Sequence, residues 1–565
     1  MSKKILVVGG VAGGASAAAR ARRLDESAEV IMFERGANVS FSNCCLPYHL
    51  SGIIEKSDDL VLISPEEFKN KYKIDARTRN EVIKINREEK KVLVKDLESG
   101  EEYEEEYDKL VLSPGANPIC PGSIEGIDKD CVFTVRNVKD ISKLYSYIEE
   151  NDINDIAVVG AGFIGVEVAE NLHMAGKNVS LIEALDQIMS PFDFDMAQIF
   201  HKEMYDKGVN LVLDDAVKKV DDCYVELASG KKIDAGAVIM SIGVCPETAL
   251  AKDAGLEIGE TGGIKVNHNY QTNDEDIYAV GDAIEVFHRL TKKVTQLPLA
   301  GPAQRQARAA ADHIYSKGHN NNGVVGSSVV KIFDLYGAST GLNEKTVKEE
   351  GIPYDIVYII PDDKVGLMPG SNPLHFKLIY EYPTGKILGA QAIGKGNADK
   401  RIDVIATMIQ MGGTLEDLKE LELCYAPVVG TAKDAVNHAA LVGLNLLYGE
   451  FKQIPVTKVR ELVESDAFIV DVREEDEYAD GHLINSVNIP LSQIRDRADE
   501  IPEDEPVYLH CRSAQRSYNA VRALQGMGYD NVINISGSYL GICCNEYFLD
   551  QTSDREKIVT EYNFN

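Results

Sequence analysis

The chain has 565 residues, of which 44% are hydrophobic and 26% are charged, the ordinary balance of a globular protein. This length is too great for a single hydrophobic core, so three to four domains are expected. The 59 basic and 90 acidic residues give a formal net charge of −31, which would repel a nucleic acid. No stretch approaches the ~18 apolar residues of a membrane span, so neither nucleic acid nor membrane is an expected partner.

Ten cysteines in so long a chain do not make a disulfide scaffold, and thiols kept reduced in a cytoplasm are the better interpretation. The C-x-x-C spacing of zinc sites is absent, so we predict no metal. The N-terminus is basic and then apolar, as in a signal peptide. However, its apolar run covers only residues 5–8 and leads into a glycine turn, which predicts a buried first strand.

Two predicted βαβ units lie about 150 residues apart in the chain. Each has a short apolar strand, a glycine turn, a helix, and a second strand that ends in a glutamate, Glu34 in the first unit and Glu183 in the second. The glycines let the backbone approach a pyrophosphate, the helix N-terminus attracts it, and the carboxylate accepts hydrogen bonds from ribose hydroxyls. Two copies predict two dinucleotide sites rather than two ordinary strand–helix turns.

The two glycine turns differ in detail. Residues 160–165 form a complete G-x-G-x-x-G, whereas residues 9–14 have Val11 where the middle glycine would stand. Glu183 would repel a 2′-phosphate, and no arginine occurs in residues 184–187, so NADH is favoured over NADPH at the second site. The alternative interpretation of Glu183 is a solvated charge at the end of a strand.

Two further segments complete the pattern. Residues 112–118 predict an apolar strand that breaks into a Pro/Gly turn, and residues 277–282 predict a strand that ends in Gly-Asp. This order of segments resembles the pyridine nucleotide–disulfide oxidoreductases, and the resemblance covers residues 1–445. It implies an α/β fold with two Rossmann-like dinucleotide-binding domains, one for FAD and one for NADH. An α+β dimerisation domain, and hence a homodimer, is also implied.

The resemblance also assigns cofactor contacts. It implies that Asp282 binds the flavin ribityl chain and that residues 295–302 lie near the flavin ring. The residues expected to bind FAD are Gly9, Gly14, Glu34, Arg35, Pro118, Asp282 and Ala300. The residues expected to bind NADH are Gly160, Gly162, Gly165 and Glu183.

Many members of this family place a C-x4-C disulfide beside the flavin, but His49 stands at the position of the second cysteine here. Residues 39–48 resemble the single-cysteine branch instead, which contains coenzyme A-disulfide reductases, persulfide reductases, NADH oxidases and NADH peroxidases. The reactive cysteine of that branch follows Ser-Phe-x-Asn, which makes Cys44 the catalytic thiol. We expect the following helix to lower the pKa of this thiol and to populate the thiolate that attacks sulfur.

Cys45 stands where the coenzyme A branch usually has glycine. A Cys44–Cys45 disulfide would be strained, because adjacent Cα atoms lie ~3.8 Å apart, below the ~4.4–6.8 Å of ordinary bridges. We therefore predict that Cys45 is a packed small residue, and the vicinal disulfide is the alternative.

With one cysteine at the flavin, the second thiol must come from the substrate, and coenzyme A fits as a mixed disulfide with Cys44. In the coenzyme A-disulfide reductases, the first helix and the residues before the cysteine contact coenzyme A. The matching positions here are Ser16, Arg20, Arg23, Ser40 and Asn43. For each arginine, the alternative is a solvated basic face of the helix.

Two departures from that branch bear on the substrate. The reductases carry two tyrosines that approach the active site from the partner subunit, whereas Leu367 and Val429 stand in the corresponding segments here. Proton donation to a leaving coenzyme A thiolate must then come from another group. Tyr425 is retained, and packing near the flavin is one interpretation of it.

The last part of the chain resembles a single-domain rhodanese, a sulfurtransferase. Three motifs carry this resemblance in order, at residues 468–474, 477–490 and 511–516. The domains implied by the two resemblances are an FAD domain at 1–120 and 245–322, an NADH domain at 121–244, a dimerisation domain at 323–450 and a rhodanese α/β domain at 455–565, with a boundary at 320–323.

The third rhodanese motif is a six-residue loop that begins at Cys511, the second candidate catalytic thiol. Backbone N–H groups together with Arg512 and Arg516 would stabilise a thiolate or persulfide on this cysteine. Ala514 replaces the loop glycine common in the family, so we expect an adjusted turn. Related phosphatase loops are one residue longer, which argues against phosphatase chemistry, and an inactive docking module is the alternative.

Together these features predict an NADH-dependent FAD flavoprotein that reduces sulfur–sulfur bonds through Cys44. Cys511 would accept sulfane sulfur and pass it to coenzyme A or toward Cys44, helped by the high effective concentration within one chain. The preferred substrate is coenzyme A persulfide or polysulfide, ahead of coenzyme A disulfide. The alternatives are an NADH oxidase or peroxidase that cycles Cys44 through sulfenic acid, and a non-enzymatic sulfur or redox sensor.

Overall fold

The computed structural model describes residues 2–319 and 321–564, so Asn320 at the predicted domain boundary lies outside the described residues. The chain forms two compact units. One contains Met1–Ala184 and Asp214–Val324, and the other contains Leu185–Leu213 and Val325–Asn565. Within the described residues, no helix combines the length and apolar character that crossing a bilayer requires.

Strands and helices alternate along the first part of the chain. Up to residue 182 they are β1 (Lys4–Val8), α1 (Ala12–Leu24), β2 (Glu29–Glu34), α2 (Pro47–Leu50), α3 (Pro65–Tyr72), β3 (Asp75–Thr78), β4 (Asn80–Asn86), β5 (Lys91–Asp96), β6 (Glu102–Glu106), β7 (Lys109–Leu112), β8 (Ala116–Pro118), β9 (Val132–Phe133), α4 (Val138–Glu150), β10 (Asp155–Val159), α5 (Phe163–Met174) and β11 (Asn178–Ile182). The next segment, α6 (Phe194–Lys207) and β12 (Asn210–Val212), belongs to the second unit.

The first unit then resumes. Its remaining elements are β13 (Val217–Val220), β14 (Tyr224–Leu227), β15 (Lys232–Asp234), β16 (Ala237–Met240), β17 (Val244–Pro246), α7 (Ala249–Asp253), β18 (Ile277–Ala279), β19 (Val286–Phe287), β20 (Val294–Thr295) and α8 (Ala300–Ile314).

Two parallel sheets organise the first unit. The first has the strand order β18–β7–β1–β2–β3, and in the second β11, β10, β16 and β9 are adjacent in that order. Strand β1 is a continuous apolar run because helices or loops cover both of its faces, and Ile5, Leu6 and Val7 are fully buried. The α/β class and the two Rossmann-like units predicted for this part of the chain are confirmed.

The second unit contains two further sheets. Its elements after residue 325 are β21 (Ser328–Ile332), β22 (Leu335–Gly341), α9 (Glu344–Glu349), β23 (Tyr354–Ile359), β24 (Leu374–Glu381), β25 (Ile387–Gly394), α10 (Ala398–Met411), α11 (Leu415–Lys419), α12 (Ala435–Leu447), β26 (Lys452–Ile454), α13 (Val459–Glu464), β27 (Phe468–Asp471), α14 (Glu475–Ala479), β28 (Val487–Asn488), β29 (Val507–His510), α15 (Gln515–Gly526), β30 (Val532–Ile535) and α16 (Ser538–Thr552).

The two sheets of the second unit differ in direction. Strands β21–β22–β25–β24–β23 pair antiparallel and pack against α10 and α12, as an α+β domain does. Strands β26–β30–β29–β27–β28 pair parallel, with α15 and α16 following β29 and β30. Direct contacts join the two sheets: the Gln453 side-chain amide donates to the Ile356 carbonyl at 2.7 Å.

A buried ion cluster lies beside the antiparallel sheet. The Lys377 ammonium, 1% exposed, lies 3.1 Å from Asp193, 2.8 Å from Asp195 and 2.6 Å from Glu344. One lysine therefore pairs with three carboxylates and ties the segment before α6 to β24 and α9.

Candidate functional site

The first glycine turn leaves no room for a side chain at its glycine positions. A Cβ on Gly14 would lie 1.8 Å from the Gly9 carbonyl oxygen, and a Cβ on Gly9 would lie 2.0 Å from that of Ser113. Gly9 also has φ +97°, which favours glycine. Helix α1 begins directly after Val11, which supplies no side-chain hydrogen bond to the first helical N–H groups. These donors, at the end of a parallel strand, suit a pyrophosphate.

The acidic and basic residues around this turn fit the rest of a flavin dinucleotide. The Glu34 carboxylate accepts hydrogen bonds from the Gly10 amide at 2.9 Å and the Gly36 amide at 2.7 Å, which fixes it at the end of β2. Arg35 extends from the same strand end and lies 3.6 Å from Glu247. Pro118 is in β8, paired with β17, and Ala300 begins α8.

Asp282 lies in a short 3-10 turn after β18. Burial raises the pKa of its carboxyl, and the nearby Arg136 guanidinium opposes that rise. The preceding Gly281 has φ +81°, and its amide donates to the Gln306 side chain at 2.7 Å, which aims the turn toward α8. The residues around the first glycine turn are therefore chemically suited to bind FAD.

Arg136 was not predicted from the sequence. Its guanidinium donates to Asn117 and, at 3.4 Å, to the Pro114 carbonyl, so it lies over the turn between β7 and β8. Burial lowers the pKa of Arg136, and the neighbouring Arg35 lowers it further. Because the charges of Arg35 and Arg136 act on each other, the pair would favour an anionic ligand. Nothing in the local sequence marks Arg136, because its partners lie about twenty residues earlier.

The second glycine turn repeats this geometry. A Cβ on Gly165 would lie 1.9 Å from the Gly160 carbonyl oxygen, whereas nothing lies within 4 Å of a Cβ built on Gly162. Gly162 is thus the point where backbone is open to a ligand at the start of α5. The Glu183 carboxylate accepts a hydrogen bond from the Ala161 amide at 2.8 Å. The cradle fits a second dinucleotide.

Cys44 lies in the 3-10 turn Asn43–Cys45 and is exposed. The prediction that a following helix lowers its pKa is wrong. Surrounding protein atoms desolvate the thiolate and raise the pKa of Cys44, and the charges of Glu167, Cys45 and Asp282 raise it further. Helix α2 has only four residues, so its dipole does not outweigh the carboxylates. The Asp282 charge acts on Cys44, so the thiol lies near the flavin-binding turn.

Cys44 and Cys45 are both free thiols in this structure, and Cys45 is half-buried. Cys44 is the more exposed residue of the two.

The positions predicted to contact coenzyme A fall into different environments. On α1, Arg23 is exposed, whereas Arg20 is paired with Asp312 of α8 at 2.5 Å. Ser16 is half-buried on the same helix. The Ser40 amide donates to the Gly10 carbonyl at 2.7 Å, and Asn43 is exposed at the start of the Cys44 turn. Arg23 is the cation most open to a phosphate.

The three positions of the second unit that bear on the substrate are exposed in the chain. Leu367 is 89% exposed, Val429 44% and Tyr425 50%. Leu367 and Val429 therefore present apolar surface and no phenol at these two positions, as the sequence predicts.

The second candidate thiol, Cys511, follows β29 and is 1% exposed. Its amide donates to Ser538 Oγ at 3.2 Å, and Ser517 Oγ donates to its sulfur at 3.6 Å. Ala514 adopts φ +72°, so the loop keeps the left-handed turn for which the family uses glycine. This conformation costs roughly 1 kcal/mol for a residue with a Cβ.

The two loop arginines have different partners. Arg516 forms an ion pair with Glu477, which together with the Cys511 sulfur raises the pKa of Arg516. Burial lowers the pKa of Arg512, while Glu477 opposes that change. Burial lowers the pKa of His375, which lies in β24 of the neighbouring sheet, and the Arg512 charge lowers it further. Arg516 is therefore held by an ion pair, whereas Arg512 is a buried cation whose charge also acts on the neighbouring sheet.

A buried charge cluster below the loop was also missed. The Arg473 guanidinium binds Asp471 at 2.6 Å and stacks on the Tyr539 ring at 4.0 Å. His510 Nε2 lies 3.7 Å from Asp471. The signal was the Asp-x-Arg at the end of β27, which sequence reasoning interpreted only as a buried strand that ends in charge.

Comparisons with known proteins agree with this geometry. Residues 3–311 match the family Pyridine nucleotide-disulphide oxidoreductase, residues 327–436 its dimerisation domain, and residues 456–543 the Rhodanese-like domain. A coenzyme A disulfide reductase of Staphylococcus epidermidis is 36% identical over 435 residues, which is 77% of this chain and 98% of the relative.

Solved structures extend the likeness to the C-terminal domain. Reduced CoADR-RHD of Bacillus anthracis is 43% identical, with a TM-score of 0.94 over 97% of this chain and 99% of its own. A NAD-dependent persulfide reductase from A. fulgidus is 34% identical, with a TM-score of 0.91 over 95% and 99%. A water-forming NADH oxidase from Lactobacillus brevis is 27% identical, with a TM-score of 0.75 over 80% and 100%. This chain belongs to the pyridine nucleotide-disulphide oxidoreductase family and carries a rhodanese-like domain after the dimerisation domain.

Proposed function

We propose that this protein uses NADH to reduce sulfur–sulfur bonds at Cys44 and that Cys511 supplies sulfane sulfur to that reaction. The observation that carries the proposal is the position of Cys44, one accessible thiol that is electrostatically coupled to Asp282 of the flavin-binding turn. His49 stands at the second position of a C-x4-C pair, so the other sulfur must come from the substrate.

FAD, when bound, would supply the chemistry that passes the electron pair of NADH to a disulfide or persulfide at Cys44. The first glycine turn, Glu34, Asp282 and the cations Arg35 and Arg136 would hold it. Gly160, Gly162, Gly165 and Glu183 would hold NADH. The chain itself contributes the Cys44 thiolate, which attacks the substrate sulfur and releases a thiol.

Coenzyme A persulfide or polysulfide is the proposed substrate, ahead of coenzyme A disulfide. Among the proteins named above, one is called a coenzyme A disulfide reductase and another a NAD-dependent persulfide reductase, and the rhodanese-like domain favours the persulfide. Ser16, Arg20, Arg23, Ser40 and Asn43 would contact coenzyme A. The similarity to the NADH oxidase covers only 80% of this chain. An oxidase function would therefore leave the C-terminal domain without a role in the reaction.

In the C-terminal domain, Cys511 would carry the sulfane sulfur, with Arg516 and Arg512 lending positive charge. Its near-complete burial protects a bound persulfide from solvent and requires that the donor reach it through the loop. A homodimer is proposed from the dimerisation domain, and a cytoplasmic location from ten free thiols.

The test compares NADH consumption by the FAD-loaded protein with coenzyme A persulfide, coenzyme A disulfide, oxygen and hydrogen peroxide. We expect the persulfide to give the highest kcat/KM. Mass spectrometry of the purified protein should find coenzyme A or sulfane sulfur on Cys44. Faster turnover with oxygen or peroxide than with either sulfur substrate would instead establish the oxidase or peroxidase.

A further inference from the structure

We propose that Ser538 is a positioning residue for Cys511, whose hydroxyl holds the Cys511 backbone and orients the Ser517 hydroxyl toward the Cys511 sulfur. This inference rests on the proposed function and deepens it, because it concerns the transfer of sulfane sulfur to Cys511. In that step the Cys511 thiolate attacks the outer sulfur of R–S–SH, a Cys511–S–SH group forms, the S–S bond of the donor breaks and R–S⁻ leaves. No added oxidant or reductant is needed.

The backbone of Ser538 lies in the left-handed region that favours glycine. Its φ is +48°, and Gly537 before it has φ +72°. For a residue with a Cβ this conformation costs roughly 1 kcal/mol. The side chain is also fully buried, so its hydroxyl needs hydrogen-bond partners within the protein. We therefore explain a serine at this position by the contacts of its hydroxyl.

The Ser538 hydroxyl lies between the Cys511 backbone and the Ser517 side chain. It accepts a hydrogen bond from the Cys511 amide at 3.2 Å, donates to the Ile535 carbonyl at 3.1 Å and lies 3.5 Å from Ser517 Oγ. Ser517 Oγ in turn donates to the Cys511 sulfur at 3.6 Å. Ser538 thus contacts both the backbone that carries the sulfur and the hydroxyl that donates to it.

The first turn of α16, which Ser538 begins, holds the same loop through backbone hydrogen bonds. The Tyr539 amide donates to the Cys511 carbonyl at 2.9 Å, and the Leu540 amide donates to the Arg512 carbonyl at 3.0 Å. In a trans peptide the N–H points opposite to the C=O, so the amides that follow these two carbonyls point away from α16. The hydroxyl of Ser538 and the two amides therefore fix the start of the Cys511 loop together.

The turn that carries Ser538 is supported by the antiparallel sheet. Tyr358 of β23 packs on Gly537, where an added Cβ would lie 2.6 Å from the ring. The Tyr358 hydroxyl is hydrogen-bonded to His375 Nδ1 of β24 at 2.7 Å, and both side chains are buried. Close packing against a ring held in this way restricts the turn, so the Ser538 oxygen keeps its place beside the loop.

A negative charge on the Cys511 sulfur strengthens the arrangement. Hydrogen bonds to an ionised acceptor are stronger than those between neutral groups, so a thiolate or persulfide attracts the Ser517 hydroxyl hydrogen. Ser517 Oγ then becomes a better acceptor, and the Ser538 hydroxyl is near enough to donate to it. Two hydroxyls in series would stabilise the anionic sulfur, and loss of Ser538 would weaken the bond from Ser517.

Removal of the hydroxyl without harm to the turn tests the inference. Ser538→Gly deletes the hydroxyl and relieves the left-handed strain, whereas Ser538→Ala deletes the hydroxyl and keeps the strain. Each full-length, FAD-loaded protein is mixed with glutathione persulfide labelled in its outer sulfur, and the label on Cys511 is measured by mass spectrometry after short times. We expect both variants to acquire the label about tenfold more slowly than the wild-type protein.

The matched control is Ser536→Ala. Ser536 is a buried serine of the same turn, but its hydroxyl donates to the Ile454 carbonyl at 3.1 Å. Ser536→Ala therefore deletes a buried hydroxyl and should leave the rate of sulfur transfer to Cys511 unchanged.

The pH dependence of Cys511 alkylation gives a readout that a merely structural role would not move. We expect the pH of half-maximal alkylation to rise in Ser538→Gly and to keep its wild-type value in Ser536→Ala. Ser517→Ala should raise it as well. Because both hydroxyls act through one bond to the sulfur, the double variant should lose less than the product of the two single losses in transfer rate.

Three results would overturn the inference: a wild-type transfer rate in Ser538→Gly, an unchanged alkylation profile in that variant, or independent losses from Ser517→Ala and Ser538→Gly. Slow transfer in Ser538→Ala with a normal rate in Ser538→Gly would assign the effect to the turn instead of the hydroxyl. Failure of the proposed function looks different, because the wild-type protein would then take up no labelled sulfur at Cys511. The alkylation profile would still report whether Ser538 acts on that thiol.

Discussion

Arg516 and Glu477 form a two-pronged ion pair beside the rhodanese loop, with Nη1–Oε2 at 2.5 Å and Nη2–Oε1 at 2.8 Å. A bidentate pair between a guanidinium and a carboxylate fixes the orientation of the guanidinium more firmly than one hydrogen bond does. The pair therefore keeps the positive charge of Arg516 next to the Cys511 sulfur, where a thiolate or persulfide would form.

Glu477→Gln should release Arg516 from this orientation. We expect transfer of sulfane sulfur from a persulfide donor to Cys511 to slow about tenfold, which corresponds to one charge-assisted hydrogen bond of about 1.4 kcal/mol. Labelled sulfur bound to Cys511 after a short mixing time measures this rate. Glu475→Gln, an exposed change on the same helix, is the matched control, and equal slowing in both variants would contradict the assigned role.

Ala514 offers a stability prediction in the same loop. Because its φ is +72°, Ala514→Gly relieves left-handed strain and should stabilise the domain by roughly 1 kcal/mol. Ala523→Gly, the same change inside α15, should destabilise it by a similar amount. Urea unfolding followed by circular dichroism compares the two. Destabilisation by both glycines would show that the loop methyl packs usefully.

The Lys377 cluster predicts acid sensitivity. Despite burial, the Lys377 charge lowers the pKa of Glu344 to about 2 from 4.5, so Glu344 contributes stability above pH 4.5 that is lost as pH falls toward 2. The shift corresponds to about 3 kcal/mol. Glu344→Gln should flatten the decline of the thermal midpoint between pH 5 and pH 3. An unchanged pH dependence in this variant would exclude Glu344 as its source.

Arg23 and Arg20 should differ in their effect on coenzyme A. Arg23 is exposed and unengaged by any ion pair in the described residues, whereas Arg20 is neutralised by Asp312. We expect Arg23→Gln to raise the KM for coenzyme A persulfide about tenfold and to leave the KM for glutathione persulfide unchanged. Lys69→Gln on α3 is the control for loss of a surface charge. Equal effects on both substrates would place the coenzyme A phosphates elsewhere.

The dinucleotide cradles could be predicted because their physics is local. Gly9 and Gly14, or Gly160 and Gly165, meet through one turn of backbone, and only glycine fits contacts near 2 Å. The rhodanese loop is local for the same reason. Its Ala514 departs from the family pattern in residue type but not in backbone conformation.

The electrostatics of Cys44 could not be predicted, because its neighbours are remote in sequence. Desolvation together with the charges of Glu167 and Asp282 raises the pKa of Cys44, and both carboxylates belong to elements more than one hundred residues later. Arg136 and Lys377 were missed for the same reason. A pattern indicates which residues share an element, whereas these charges act across elements that only the fold brings together.

The most direct test of the central claim is anaerobic reduction of coenzyme A persulfide by the FAD-loaded protein, with NADH and sulfide both quantified. The account predicts one sulfide per NADH in the wild-type protein and in Cys511→Ser, and at least about a thousandfold loss in Cys44→Ser. Persulfide reduction that survives intact in Cys44→Ser, with FAD bound, would contradict the account.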